Sequence, residues 1–163
     1  MKLKFKKLHS EAKLPVQAKP GDAGLDLVAT TMMTVYKERL SSDGESPLPS
    51  AEVLYVEYGL GIAAEIPHGH VGLLFPRSSV TNKDLMMKNC VGVVDSGYRG
   101  EIKARFNYLG DESKPWMKPN IYGIGERVAQ LVIIAIPEYT TEFVDELSDT
   151  ERGKGGYGST GNK

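Results

Sequence analysis

The sequence predicts an all-β domain, a sandwich, jelly roll or barrel, on three observations. Its short apolar runs alternate with charged residues at period two, β-branched residues fill them, and Gly and Pro punctuate them. The first run is at the N-terminus, where Leu3 and Phe5 alternate with Lys2, Lys4 and Lys6, the pattern of a half-buried strand. Strand-length runs follow at 53–58 and 71–75, then where Ile102, Ala104 and Phe106 alternate with Glu101, Lys103 and Arg105, and again at 128–136. Turns are expected at Pro20-Gly21, Pro67-His68-Gly69, Ser96-Gly97, Leu109-Gly110 and between Gly123 and Gly125. One exception is 80–88, where Thr81 or Asn82 can cap a short helix ahead of Leu85 and Met86.

At 163 residues the chain suits one domain. Twenty basic against 21 acidic side chains leave a net charge of −1, so no global field draws in nucleic acid or an anionic membrane, and neither is expected as a partner. A 40% hydrophobic and 25% charged composition is that of a soluble packed domain rather than a disordered or membrane-spanning chain. The single cysteine, Cys90, forbids an internal disulfide framework and suggests a reducing compartment, the cytoplasm. The basic start MKLKFKKL has no apolar run behind it and lacks the pattern of a secretory signal. Residues 37–50, from Lys37 to Ser50, are polar and proline-bearing and read as a surface excursion. Beyond a core at 1–147, residues 148–163 turn acidic and then glycine-rich, RGKGGYGSTGNK, and read as a mobile arm.

Familiar catalytic sets mostly fail. His68-Gly69-His70 sits in a turn without a third ligand of evident spacing, so a plain turn is expected. Cys90, before an apolar run, reads as a small packing residue. There is no G-x-S-x-G elbow and no G-x-G-x-x-G after a strand. The C-terminal glycines are not expected to form a Walker loop, because Lys154 precedes them where that loop needs Gly-Lys-Ser/Thr. Arg152, Lys154, Ser159 and Thr160 among flexible glycines nevertheless supply cations, hydroxyls and backbone donors for wrapping an anion. Pro76-Arg77-Ser78-Ser79 offers a second anion cluster at the end of a strand run. A third constellation, from Gly92 to Gly100, joins two strand-like segments through a hairpin with Asp95 and Tyr98 at the bend.

The order of these clusters carries more than any one of them. Ala23-Gly24-Leu25-Asp26-Leu27, Pro76-Arg77-Ser78-Ser79, the stretch 92–102, Gly125-Glu126-Arg127-Val128-Ala129-Gln130-Leu131, and 152–161 closely resemble the five ordered motifs of the trimeric dUTPases, over nearly the whole chain. Ser79 stands where that family often has Gly and Tyr157 where Phe is common, and the stretches 37–50 and 111–123 are longer than usual.

The resemblance implies a jelly-roll-like fold, a homotrimer, and hydrolysis of dUTP to dUMP and pyrophosphate, which limits uracil in DNA and supplies dUMP for dTMP synthesis. By family position Asp95 orients and deprotonates the water that attacks the α-phosphorus. Magnesium is held by phosphate oxygens and water rather than by protein ligands. Arg77, Ser78, Ser79 and Gln130 position phosphates. Arg152, Gly156, Gly158, Ser159 and Thr160 close over them from a neighbour's arm, with Tyr157 stacking on the base. The main chain around Asn89, Gly92, Val93, Val94 and Asp95 reads uracil, Tyr98 lies under the sugar, and Lys103 extends the substrate contacts. Asp26 is expected to hold Arg77 or nearby backbone rather than to touch substrate. Two rivals stand beside this reading. A dCTP deaminase shares the fold but needs a glutamate where this chain has Arg105. A regulatory scaffold would grip an unidentified protein partner through 37–50.

Overall fold

The computed structural model describes residues 2–40, 47–48, 52–110 and 118–156, with only the backbone at 39, 40, 47 and 48. Twelve strands and one 3-10 turn make up its regular structure: β1 (Lys4–Lys7), β2 (Leu25–Val28), β3 (Thr31–Tyr36), β4 (Arg39–Leu40), β5 (Pro47–Leu48), β6 (Val53–Gly59), β7 (Ile62–Glu65), β8 (His70–Pro76), the 3-10 turn Ser78–Asn82, β9 (Leu85–Met87), β10 (Gly92–Val94), β11 (Lys103–Tyr108) and β12 (Arg127–Ala135).

Two four-stranded antiparallel sheets dominate, one ordered β10-β8-β12-β2 and the other β3-β6-β11-β9, with β1-β7 and β4-β5 as small additional ladders. From β8 onward the chain alternates between the layers. β8, β10 and β12 lie in one sheet, β9 and β11 in the other. This repeated crossing is the double-sheet, jelly-roll-like arrangement. Core residues come from period-two positions on facing strands. In the second sheet Ala104 pairs with Tyr58 and Phe106 with Val56, and all four are at most 2% exposed. In the first, Leu131 pairs with Leu74 and both are buried. Tyr58, Phe106 and Tyr122 meet edge-on with ring centroids 5.7, 6.2 and 6.3 Å apart. Truncating Phe106 to alanine in such a cluster costs about 3–5 kcal/mol. The Tyr58 hydroxyl donates to the Tyr122 carbonyl at 3.0 Å, and burial pushes its pKa up to about 12.

The expected helix at 80–88 is replaced. A 3-10 turn covers Ser78–Asn82, and Leu85–Met87 forms β9, paired with β11 through Phe106 and Met87. Leu85 and Met87 are buried while Met86 is exposed, so period-two burial against the second sheet overrides the local capping signal. The hairpin expected around Asp95 is also corrected. β10 pairs with β8 and β11 with β6 and β9, so the connection is an arch between two sheets. Cys90 does not pack. It is exposed, in the left-handed region at φ 57°. After Ala135 the described chain forms no further strand, and 136–150 is exposed throughout.

Candidate functional site

The arch from β10 to β11 opens on a cavity of about 590 Å³. Asn89, Gly92, Val93, Val94, Asp95, Tyr98 and Lys103 all line it, so the structure brings this part of the expected set together. β10 is the edge strand of its sheet, with one side laddered to β8. The main-chain N–H and C=O groups on its other side have no ladder partner among the described residues and are available to a ligand. Asp95 is exposed, and among the described residues no hydrogen bond or ion pair engages its carboxylate. The turn that carries it is closed by the Tyr98 N–H donating to the Asp95 carbonyl at 3.0 Å. Arg99 stiffens the same turn, its Nη1 donating to the carbonyls of Ser96 at 2.6 Å and Tyr98 at 2.8 Å.

Lys103 points to the same cavity but is already paired, its Nζ donating to Glu57 Oε1 at 2.8 Å. Glu57 also accepts from Arg105 Nε on Oε2 at 2.6 Å. Glu57 is 5% exposed. Burial pushes its carboxyl pKa up, but the hydrogen bonds and charges of Lys103 and Arg105 outweigh that and hold it below the ordinary glutamate value. The Arg105 guanidinium lies 4.9 Å from the Tyr55 ring centroid and the Lys88 ammonium 5.7 Å, so one aromatic ring attracts two cations. Lys88, Glu57 and Arg105 were not among the expected site residues. Alternation along β11 puts Lys103 and Arg105 on one face, but only the β6–β11 register sets Glu57 between them.

The second group gathers elsewhere, around a groove of about 330 Å³ that includes Arg77, Ser79, Tyr122 and Arg127. Asp26 on β2 organises it. Its Oδ1 accepts from Arg77 Nε at 2.7 Å and its Oδ2 from Arg127 Nη1 at 2.8 Å. The Ser79 hydroxyl meets the Tyr122 hydroxyl at 3.0 Å, while Ser78 is exposed at the start of the 3-10 turn. Gln130 Nε2 donates to the Pro76 carbonyl at 3.0 Å, and its amide oxygen lies only 2.4 Å from where a Cβ on Gly24 would stand. Gly24 therefore admits the Gln130 side chain. The first, second and fourth motifs thus form one contiguous latch.

Cavity and groove do not merge within one chain. They share no lining residue; Val94 pairs with Gly72, and Arg77, extended just past the end of β8, stands five residues further along, about 16 Å at about 3.3 Å per residue. Arg152 and Gly156 are exposed at the end of the described chain, where Arg152 Nε donates to the Gly155 carbonyl at 3.1 Å. Tyr157, Gly158, Ser159 and Thr160 lie outside the described residues, as does most of the stretch 37–50. Among the described residues no three His, Cys, Asp or Glu side chains gather as a metal cage. None of their helices is long and apolar enough to cross a membrane.

The fold is a jelly-roll-like β sandwich, with an exposed carboxylate beside an open strand edge and a separate arginine latch. The dUTPase family model matches residues 10–161. A deoxyuridine 5'-triphosphate nucleotidohydrolase of Corynebacterium glutamicum is 39% identical over 160 residues, covering 98% of this chain and 94% of the relative. Among solved structures, the dUTPase of Staphylococcus bacteriophage 80alpha with dUPNHPP superposes with a TM-score of 0.73 at 26% identity, covering 98% of each chain. A D95N dUTPase of phage phi11, described as coordinating a structural Mg(II) ion, gives 0.67 at 23% identity, covering 90% of this chain and 98% of its own. The chain belongs to the dUTPase family and hydrolyses dUTP.

Proposed function

We propose that Asp95 is the general base of dUTP hydrolysis, drawing a proton from a water that attacks the α-phosphorus while pyrophosphate departs. The observation that carries this reading is the exposed Asp95 carboxylate, unengaged among the described residues, on a turn tied down by its own backbone. A base must reach solvent and substrate without being spent on an internal partner. The unpaired edge of β10 supports uracil reading by main-chain donors and acceptors. Uracil presents acceptor, donor, acceptor, and cytosine reverses two of these groups, which a fixed backbone penalises by about 10⁴-fold or more. Tyr98, lining the same cavity, selects deoxyribose from beneath the sugar.

Arg77, Ser78, Ser79 and Gln130 hold phosphates, and their separation from Asp95 along β8 supports a site shared between copies. One chain supplies the arch, its neighbour the latch, and a third the arm with Arg152, Gly156, Tyr157, Gly158, Ser159 and Thr160, in a homotrimer. Magnesium fits as an ion carried by the triphosphate. The exposed carboxylate of the cavity is Asp95, and Glu101 Oε1 already accepts the Gly61 N–H at 2.9 Å, so the described chain offers no cage of its own. When bound, the ion neutralises phosphate charge. Lys103 reaches the cavity from its anchor on Glu57 and extends the contacts there. The test is pyrophosphate release from dUTP, dCTP, dTTP and UTP with magnesium, by wild type and Asp95→Asn. Selective dUTP turnover lost in the variant supports the assignment, and equal turnover by the variant removes Asp95 as the base.

A further inference from the structure

We infer that Gly100 is a positioning residue for sugar selection, acting through Tyr98; this rests on the reading of Tyr98 given above. The Tyr98 ring folds back over the turn, and its hydroxyl donates to the Glu101 carbonyl at 2.9 Å. In that pose the ring occupies the space of a side chain at position 100. A Cβ on Gly100 would stand 2.4 Å from the Tyr98 hydroxyl oxygen, 2.6 Å from Cζ and 3.0 Å from Cε2. Atoms do not approach so closely, so any residue but glycine forces one of two groups to move.

The backbone is the less able to yield. Glu101 is clamped through its carboxylate to the Gly61 N–H at 2.9 Å. Next to it, the Ile102 N–H donates to the Ile62 carbonyl at 2.9 Å, and the Ile102 carbonyl accepts from Leu60 N–H at 3.3 Å. Arg99, on the other side, ties the turn to the carbonyls of Ser96 and Tyr98. Tyr98 is 45% exposed and has free space on its cavity side. The ring therefore swings, loses its bond to Glu101, and leaves the floor on which a sugar would rest. Gly100 does not lie at positive φ, so alanine is tolerated by the backbone itself and the effect is confined to the ring.

The experiment measures kcat/KM for dUTP and UTP in wild type, Gly100→Ala, Tyr98→Ala and the double variant, with thermal unfolding recorded for each. Wild type is expected to prefer dUTP, and Gly100→Ala to lose about tenfold or more of that preference with its melting temperature within a few degrees of wild type. In the Tyr98→Ala background the added alanine is expected to change the ratio no further, because the two residues act as one unit. A Gly100→Ala enzyme that keeps the wild-type ratio, or an equal loss in both backgrounds, overturns the inference while leaving Asp95 and dUTP hydrolysis standing. A wild type that turns over dUTP and UTP alike overturns the Tyr98 reading and this inference together. Should Gly100→Ala fail to fold, Tyr98→Phe reads the same pose by deleting only the bond to Glu101. A reduced ratio supports the inference and an unchanged one overturns it.

Discussion

The arch that carries Asp95 and the latch built on Asp26 treat their charges in opposite ways. In the latch every charged group is committed: one carboxylate holds two guanidinium groups at 2.7 and 2.8 Å. In the arch the turn is tied down and the carboxylate is not, with Asp95 free among the described residues and its turn fixed by Tyr98 and Arg99. Under the proposed roles the difference follows from what each must do. Groups that hold a polyanion gain from being placed in advance, because orientation is then settled before the substrate arrives. A group that accepts a proton needs open lone pairs and reach to water.

The sharpest test of that contrast is Asp95→Asn, expected to lower dUTP turnover by about 10²–10⁴-fold with stability within about 0.5 kcal/mol of wild type. Steady-state pyrophosphate release and thermal unfolding check both halves, and a destabilised variant would mean that Asp95 is a structural partner after all. Next in size is truncation after Ser148. The remaining chain is expected to fold and assemble, since described residues 148–156 form no strand and bury no apolar side chain, yet to lose about 100-fold or more in turnover as the closing groups are removed. Light scattering with kinetics separates the two effects.

Asp26→Asn breaks the latch and is expected to differ in kind from Asp95→Asn. Arg77 and Arg127 lose their anchor, so the expected outcome is a loss of about 1–3 kcal/mol in denaturant unfolding and a roughly tenfold rise in KM for dUTP. The smallest effect belongs to Glu57→Gln. Glu57 sits below its ordinary value when folded. Its contribution is therefore complete above the unfolded value of 4.5 and disappears as pH falls through the lower folded one. Wild type is expected to lose stability across that acidic window and Glu57→Gln to show a flatter profile there, at a cost near neutrality of about 1 kcal/mol because both partners are half exposed. Thermal melts from neutral to acid pH read the difference.

The strands legible in the sequence are those whose runs alternate apolar with charged residues or are strand-length and rich in β-branched residues. β1, β6, β8, β11 and β12 all stand where such runs place them. β7 escapes because it is short and sets two alanines beside a single β-branched residue, Ile62, so it carries neither alternation nor a β-branched run. β9 escapes because three residues after a capping turn look like a helix until Phe106 pairs with Met87. The arch was expected as a hairpin because a tight Ser96-Gly97 turn between two strand runs looks alike whether the strands pair or part. Only the competition of β8 for β10 and of β6 for β11 decides it. Asp95, Tyr98, Arg77 and Gln130 were legible as motif residues, and the Asp26 to Arg77 contact as an expectation. The Glu57 junction was not, because it depends on a register between strands 46 residues apart.

Because β10 and β11 belong to different layers, the turn between them works as a strut spanning the sandwich, and its length is fixed while the spacing of the layers is not. A shift of a few tenths of an ångström where Leu74 or Phe106 fills the interior would tilt the strut and its acid together. Mild interior damage should then register as slower turnover at temperatures where the protein is still fully native.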